Sequence, residues 1–536
     1  MTEQTIAVQD SNKGDDFQEN KLSSESFNND KIVNRLADFK VDAILWYFAL
    51  PSIIANAVSA ITNTIQTNIQ KSYMGDVGIS ATGIVQPLEL VLTMYISLGL
   101  SGGLCTFLSP ALGRKDFPQA QKYLMHFMVL YLIVVILVPA CTLPWMNTLV
   151  VRLGAEKGSE MAKYAAQYGY VIFGCATVFY FINYGYGNIL RATSRSVFNN
   201  VKQIFTALIE LLCVYLFFRF YVSKGHVQLY TIAAAPVIAN AICAVPVISL
   251  FIPKIFRTFK LKFSTAPFKK FDFNVTLELL YLSIPDFLVQ IQIPVQILVG
   301  NAVLKRISGS YMQLNTWVTN LSIVYKMSPL IDLSNKSFST AFSPTFGYAL
   351  GAKNWARVRE IMRRIVIWQT GLSMLFFIVM NIAITAICAA LMKGYTPMED
   401  DCNFGFRCYN ACMPLLTCFY CSKDINKMEQ RPMKAILIQL TRLFMAIAFE
   451  VAMGLALNNQ KGIYYGVMMA DLGASIVGWI NFAQRYKVYG QLERNEITMK
   501  QAKIHDPSNK IARCGRKVER TETERRDIQI IDAIAV

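Results

Sequence analysis

The stretch ALGRKDFPQAQKY, Ala111 to Tyr123, returns as ALGAKNWARVREI, Ala349 to Ile361, 238 residues further along the chain. Ala, Leu, Gly and Lys recur in register. So short a match carries little weight alone, and its value rests on other anchors at a similar distance. YFALP, ending at Pro51, pairs with YLSIP, ending at Pro285, at an offset of 234. Arg191 and Arg431, Lys202 and Arg442, and Glu210 and Glu450 all stand 240 apart. Agreement of this kind predicts an internal duplication.

The duplicated unit belongs in a bilayer. Of 536 residues, 54% are hydrophobic and only 16% charged, the composition of a membrane protein. Apolar blocks such as HFMVLYLIVVILVPACTLPWM (His126 to Met146) and LIELLCVYLFFRFYV are near the ~20 residues that a crossing helix needs. The pattern predicts twelve transmembrane helices, near 41–70, 83–108, 125–148, 164–190, 199–222, 228–253, 276–304, 317–346, 365–392, 404–421, 435–458 and 462–484. The fold class is therefore all-α, an integral membrane protein of two six-helix lobes. The N-terminal lobe spans 41–253 and the C-terminal lobe 276–484, with a basic linker at 254–275. Polar tails occupy 1–40, where disorder is expected, and 485–536; no cleavable signal peptide precedes the first helix. Six helices return each half to its starting side, so the halves are parallel repeats of a kind that rock about a central site. The repeated phrase is then the elbow after the second helix of each half.

Lys and Arg gather in the loops after helices 2, 4, 6, 8 and 10. They include Arg114, Lys115 and Lys122; Arg191, Arg195 and Lys202; Lys254, Arg257 and Lys260; Lys353, Arg357 and Arg359; and Lys423, Lys427, Arg431 and Lys434. Cytoplasmic loops carry such an excess, which places those loops and both termini in the cytoplasm. A net charge of +17 then marks a face toward anionic lipid and calls for no nucleic acid. No phosphate loop, metal cluster or nucleophile elbow appears, so neither an enzyme nor a cofactor is expected. Most cysteines, such as Cys105, Cys141, Cys175, Cys213, Cys243 and Cys388, sit singly in apolar helices as small hydrophobes. Cys402, Cys408, Cys412, Cys418 and Cys421 straddle a predicted external loop and helix 10, where a Cys402–Cys408 disulfide and free thiols are both open readings.

On helix 1, Asn56, Ser59, Asn63, Gln66 and Gln70 recur at helical spacing, forming one polar stripe. Lipid cannot satisfy its amides, so the stripe either bonds to other helices or lines a substrate or ion path. Helix 7 keeps Gln290, Gln292, Gln296 and Asn301 in a different pattern. Intramembrane carboxylates are costly and so are candidates for function: Glu89, Glu210, Asp286, Asp332, Glu450 and Asp471. Asp332 lies one turn before Lys336, which favours an internal ion pair. Glu210 and Glu450 stand eight residues after Lys202 and Arg442, a long reach for direct pairing. Asp286 follows Pro285 near the expected start of its helix, where capping and function are equal readings. Pro51, Pro87, Pro285, Pro294, Pro329 and Pro344 permit kinks.

These residues resemble a family. LPSIIANAVSAITNTIQTNIQKSYMGDVGISATG, LGLSGGLCTFLSPALGRKDFPQAQ, GNILRATSRS and AFSPTFGYALGAKNWARV, taken in order, look like the MATE family of multidrug and toxic compound extrusion transporters, over about residues 41–485. The resemblance implies twelve helices, a central cavity, and efflux of bulky, often cationic organic compounds in exchange for protons or sodium ions. Departures are also present. Aligned without gaps, the aspartate that many members carry in helix 1 falls on Gln66, the glycine usual after the helix 4 arginine on Ser194, the helix 5 aspartate on Val214, and the asparagine one turn earlier on Glu210.

The expected function is thus secondary-active export of organic solutes by proton or sodium antiport through alternating access. A monomer at the plasma membrane is expected. A lipid-linked substrate flippase, hinted at by Lys326 and Lys336, and a non-transporting sensor are the alternatives. The expected pathway comprises Asn56, Asn63, Gln66, Gln70, Glu89, Glu210, Gln290, Gln292, Asp332 and Glu450. Glu210 is the candidate coupling charge of the N-terminal lobe, since a carboxylate out of water is driven toward its neutral form.

Overall fold

A computed structural model describes residues 39–153, 157–193, 195–220, 230–258, 272–310, 332–391 and 396–499, with scattered positions between 313 and 325 and at 501, 502 and 504. Ser194, Lys326, Pro329, the linker from 259 to 271 and most of both tails lie outside the described residues, as do the side chains of Gln70, Pro87 and Cys388.

Helices make up both lobes, and no strand occurs among the described residues. The N-terminal lobe comprises α1 (Val41–Glu89), a π-helical turn at Leu90–Tyr95, α2 (Ile96–Gly113), α3 (Phe117–Thr142) and α4 (Met146–Arg152). It continues as α5 (Glu160–Val171), α6 (Thr177–Tyr180) and α7 (Tyr186–Ala192), one rod interrupted by two π-turns, then α8 (Ser196–Phe220) and α9 (Tyr230–Thr258). The C-terminal lobe comprises α10 (Phe273–Ile307), α11 (Leu333–Gly351), α12 (Trp355–Leu391), α13 (Thr396–Ala411), α14 (Thr417–Met428), α15 (Pro432–Leu457) and α16 (Gln460–Glu493).

Each of the twelve predicted segments has a helical counterpart, and nine of these, among the described residues, are long and apolar enough to cross a membrane. A tenth, Ala233–Ile248, is apolar but shorter. The remaining two, α11 and the α13–α14 pair, fail for a physical reason. Nearly all of α11 and all of α14 are buried in protein, so Ser334, Asn335, Lys423 and Asp424 are satisfied by neighbours and never meet lipid. Boundaries also differ from expectation. The break expected between helices 1 and 2 is helical; isolated glycines cost a helix about 1 kcal/mol each, less than the backbone bonds that a break would expose in apolar surroundings. Helix 10 is two helices parted around Pro414, and α16 runs past Arg485 to Glu493.

Both elbows adopt one conformation. Arg114 N donates to Pro110 O at 3.1 Å, as Ala352 N does to Tyr348 O at 2.9 Å. Lys115 and Lys353 then take positive φ values of 60° and 55°. Asp116 Oδ1 accepts from Gln119 N, and Asn354 Oδ1 from Arg357 N, so each starts the next helix with a side-chain cap. The shared phrase is a helix stop followed by a helix start.

The lobes meet along a seam at this elbow end. Helix α2 packs on α10 and α11, while α11 also packs on α1. Small residues let the backbones approach: Gly103 lies against Ser283 and the Leu279 carbonyl, and Gly102 against Asp286. A single apolar cluster crosses the seam, uniting Phe48, Phe107 and Leu108 with Leu282, Phe342 and Phe346. Beneath it, buried Glu429 binds Arg485 at 2.8 Å and Tyr489 at 2.6 Å, and Arg431 holds the Ala502 carbonyl at 2.6 Å.

Candidate functional site

In the N-terminal lobe the polar groups converge beyond the seam. Buried Glu89, at the end of α1, accepts hydrogen bonds from Tyr168 at 2.8 Å and Tyr180 at 3.1 Å. Glu210, on α8, is half-buried, with Gln66 and Glu89 as its electrostatic neighbours. Two carboxylates within Coulombic reach repel when both are ionised. Lys202, one candidate partner for Glu210, is turned away: its Nζ donates to the Asn183 carbonyl at 2.6 Å. The helix 1 stripe divides by depth. Asn56 is an interlobe bridge, donating to Ser337 Oγ at 3.1 Å and accepting from Gln203 at 3.3 Å. Ser59 bonds its own helix through the Ala55 carbonyl. Farther along, Asn63 is exposed and Gln66 is buried with its Nε2 unpartnered.

The C-terminal lobe is built differently. Glu450, on α15, is fully buried; Tyr325 donates to its Oε1 at 3.2 Å, and Oε2 has no partner. Arg442 on the same helix is occupied by Asp471 at 2.7 Å and by the Tyr420 hydroxyl at 3.1 Å. Tyr420 in turn donates to Asp332 at 2.6 Å. The expected Asp332–Lys336 ion pair is present at 3.6 Å, which takes from Lys336 the free positive charge that a lipid-phosphate site would use. Gln292 accepts from Gln439 at 3.2 Å, whereas Gln290 is half-buried.

Three sequence readings are revised here, one of the two open for Asp286 among them. Asp286 is no cap, because α10 begins thirteen residues earlier, capped by Asp272 on Asn274 N. It stands mid-helix and binds Lys423 at 3.1 Å and Lys427 at 2.7 Å. Lys423 also binds Asp424 at 3.0 Å. The four charges balance, which is how a protein interior tolerates them. Lys423 and Lys427, expected as loop charges, are therefore interior. Cys402 and Cys408 lie on α13 rather than in a loop, and both are buried and outside any disulfide.

A family model named MatE matches residues 51–216. Among solved structures, a crystal structure of a MATE in complex with MaL6 aligns with a TM-score of 0.76 at 15% identity, covering 86% of this chain and 99% of that one. The outward-facing conformation of a multidrug resistance MATE family transporter of the MOP superfamily aligns at 0.72 and 16% identity, covering 86% and 98%. This chain has the MATE fold. A MOP superfamily transporter from Pyrococcus furiosus, whose binding pocket is described as reversed in polarity, aligns at 0.74 and 15% identity, covering 85% and 98%. No curated protein matches the chain in sequence. The MatE match covers the elbow at 111–123, Gln66, Glu89 and Glu210, and the nine long apolar helices among the described residues are those of a multi-pass membrane protein.

Within the MATE frame, the tyrosines that hold the carboxylates escaped sequence reading. Tyr168, Tyr180, Tyr325 and Tyr420 have no spacing relative to the acids they bind, from which they are separated by 79, 91, 125 and 88 residues. Lys423, Asp424 and Lys427 did carry a signal. The four-residue spacing of the two lysines places them on one side of a helix, where the sequence reading puts a loop.

Proposed function

We propose that this MATE-fold chain is a proton-coupled exporter of bulky organic solutes, working by alternating access as a monomer in the plasma membrane, with Glu210 as the exchanging carboxylate of the N-terminal lobe. The observation that carries this reading is the state of Glu210: half-buried, beside Gln66 and Glu89, with Lys202 committed elsewhere. A carboxyl without a fixed cation can be neutralised by a proton or by a cationic substrate, and the two then compete for one site. Asn63 and Gln66 line the approach, and Glu89, held by its tyrosines, sets the field there.

The elbow face is cytoplasmic on this reading, in keeping with its basic residues. Since the lobes are joined at that end, the conformation seen is the one that releases substrate outward. Purified protein in liposomes, loaded with a fluorescent organic cation, tests the assignment under imposed proton and sodium gradients separately. Dye flux follows the proton gradient alone, and Glu210→Gln, correctly inserted, loses that response at least tenfold. Flux indifferent to the proton gradient, or a Glu210→Gln variant as responsive as the parent, overturns it.

A further inference from the structure

The duplication that relates the two elbows also relates Glu210 to Glu450, and the bases before them, Lys202 and Arg442, share the same offset. In both lobes the base is engaged away from the acid. Lys202 holds a backbone carbonyl and Arg442 holds Asp471. Each lobe thus keeps a carboxyl within a long apolar helix with no cation opposite it.

Glu450 is the more confined of the two. It has no exposure, and Gly466 of α16 packs directly on its backbone. Its electrostatic neighbours are Tyr325, Gln296 and Asp471, and none of them is a cation. From helix 8, Tyr325 donates one hydrogen bond to Oε1. On α16, Asp471 carries charge of the same sign, already matched by Arg442. On α14, Tyr420 is bound to Asp332, while Lys423 and Lys427 are bound to Asp286 and Asp424. From α10 the neighbour is Gln296, a neutral amide turned toward the carboxyl as a hydrogen-bond partner, its own Oε1 buried without a donor. Unpartnered oxygens of this kind are rare in protein interiors and mark a missing donor. A bare carboxylate so enclosed is costly, and a proton on Oε2 removes that cost.

We propose that Glu450 is a second exchangeable proton site, the C-lobe counterpart of Glu210, so that one transport cycle moves two protons. The inference rests on the proton-exchange reading of Glu210 and adds stoichiometry to it. Glu450 is protonated while the elbow end is closed. Rocking of the lobes shifts α10 and α11 against α15, bringing water to Glu450 and letting its proton leave. Glu210 is half-buried and Glu450 fully enclosed, so they need not discharge together.

Proton counting tests this. The full chain in weakly buffered nanodiscs, titrated with an ethidium-type cation in the presence of a pH indicator, releases two protons per dye bound. Glu450→Gln releases one, and so does Glu210→Gln. In liposomes without membrane potential, one pH unit supports about tenfold dye accumulation per coupled proton. The parent therefore reaches about a hundredfold and Glu450→Gln about tenfold. Should Glu450→Gln fail to fold, the counts for the parent and for Glu210→Gln decide alone: two and one support the second site, one and none overturn it. A parent that releases one proton, or a Glu450→Gln variant that matches the parent, overturns this inference and leaves Glu210 standing. A parent that releases none and ignores the pH gradient overturns both.

Discussion

Gly351 of one lobe lies against the Pro110 carbonyl of the other, leaving no room for a Cβ, and Gly113 meets the Tyr348 carbonyl in the same way. Pro110 and Tyr348 occupy matching places in the repeated phrase, as do the two glycines, so the contact is reciprocal about the pseudo-twofold axis. Backbone cannot swing aside as a side chain can. Gly351→Ala is therefore expected to part the seam, at a cost of about 1–3 kcal/mol, the range for overpacking. Thermal unfolding in detergent should fall by several degrees, and Cys105, buried on α2 near the seam, should become reactive to maleimide as judged by mass spectrometry. Gly113→Ala should do the same, and the double variant less than the sum, because the two clashes act on one interface. Unchanged melting and a silent Cys105 would show that the seam yields without strain.

Asp286 supplies one of the two negative charges that neutralise Lys423 and Lys427. Asp286→Ala leaves buried lysine charge uncompensated, for which a loss of about 3–5 kcal/mol is typical. Asp332→Asn should be milder, since Lys336 is partly exposed and can be solvated. Comparison of melting temperatures and insertion yields checks the order. Equal losses for the two variants would mean that the tetrad has no special structural weight.

Asn63 is exposed and Gln66 buried on the same stripe of α1. Replacing Asn63 with Trp should alter which compounds are moved while leaving folding intact. Gln66→Leu should change the profile as well, and in addition shift the pH response, because the amide stands beside Glu210. Dye-panel transport in liposomes measures both effects. Two variants with the parent's profile would make the stripe structural along its whole length, as Asn56 already is.

Both termini are expected in the cytoplasm, on the face that carries Arg114, Lys115, Lys353 and Arg357. Epitope tags at either end should resist antibody in intact cells and become accessible on permeabilisation. External labelling of either tag would reverse the orientation and make the closed elbow end the outer one.

How far the sequence reaches depends on the range of the interaction involved. The apolar blocks, the duplication and the elbows are local or periodic properties, and sequence alone determined them. A helix in lipid must satisfy its own backbone, and the elbow at 111–123 encodes its stop in Lys115 and its restart in Asp116. The pairing of Asp332 with Lys336 was legible for the same reason, one helical turn being a local distance. What only the tertiary structure decided is which charge meets which. Arg442 stands too far from Glu450 along its own helix to pair with it directly, and only packing brings it Asp471 from α16. Lys423 and Lys427 read as cytoplasmic charge until α10 brings Asp286 to them. Partner choice among buried charges is set by helix packing, because desolvation makes any unpaired charge costly and so leaves each one bound to whichever opposite group the packing presents.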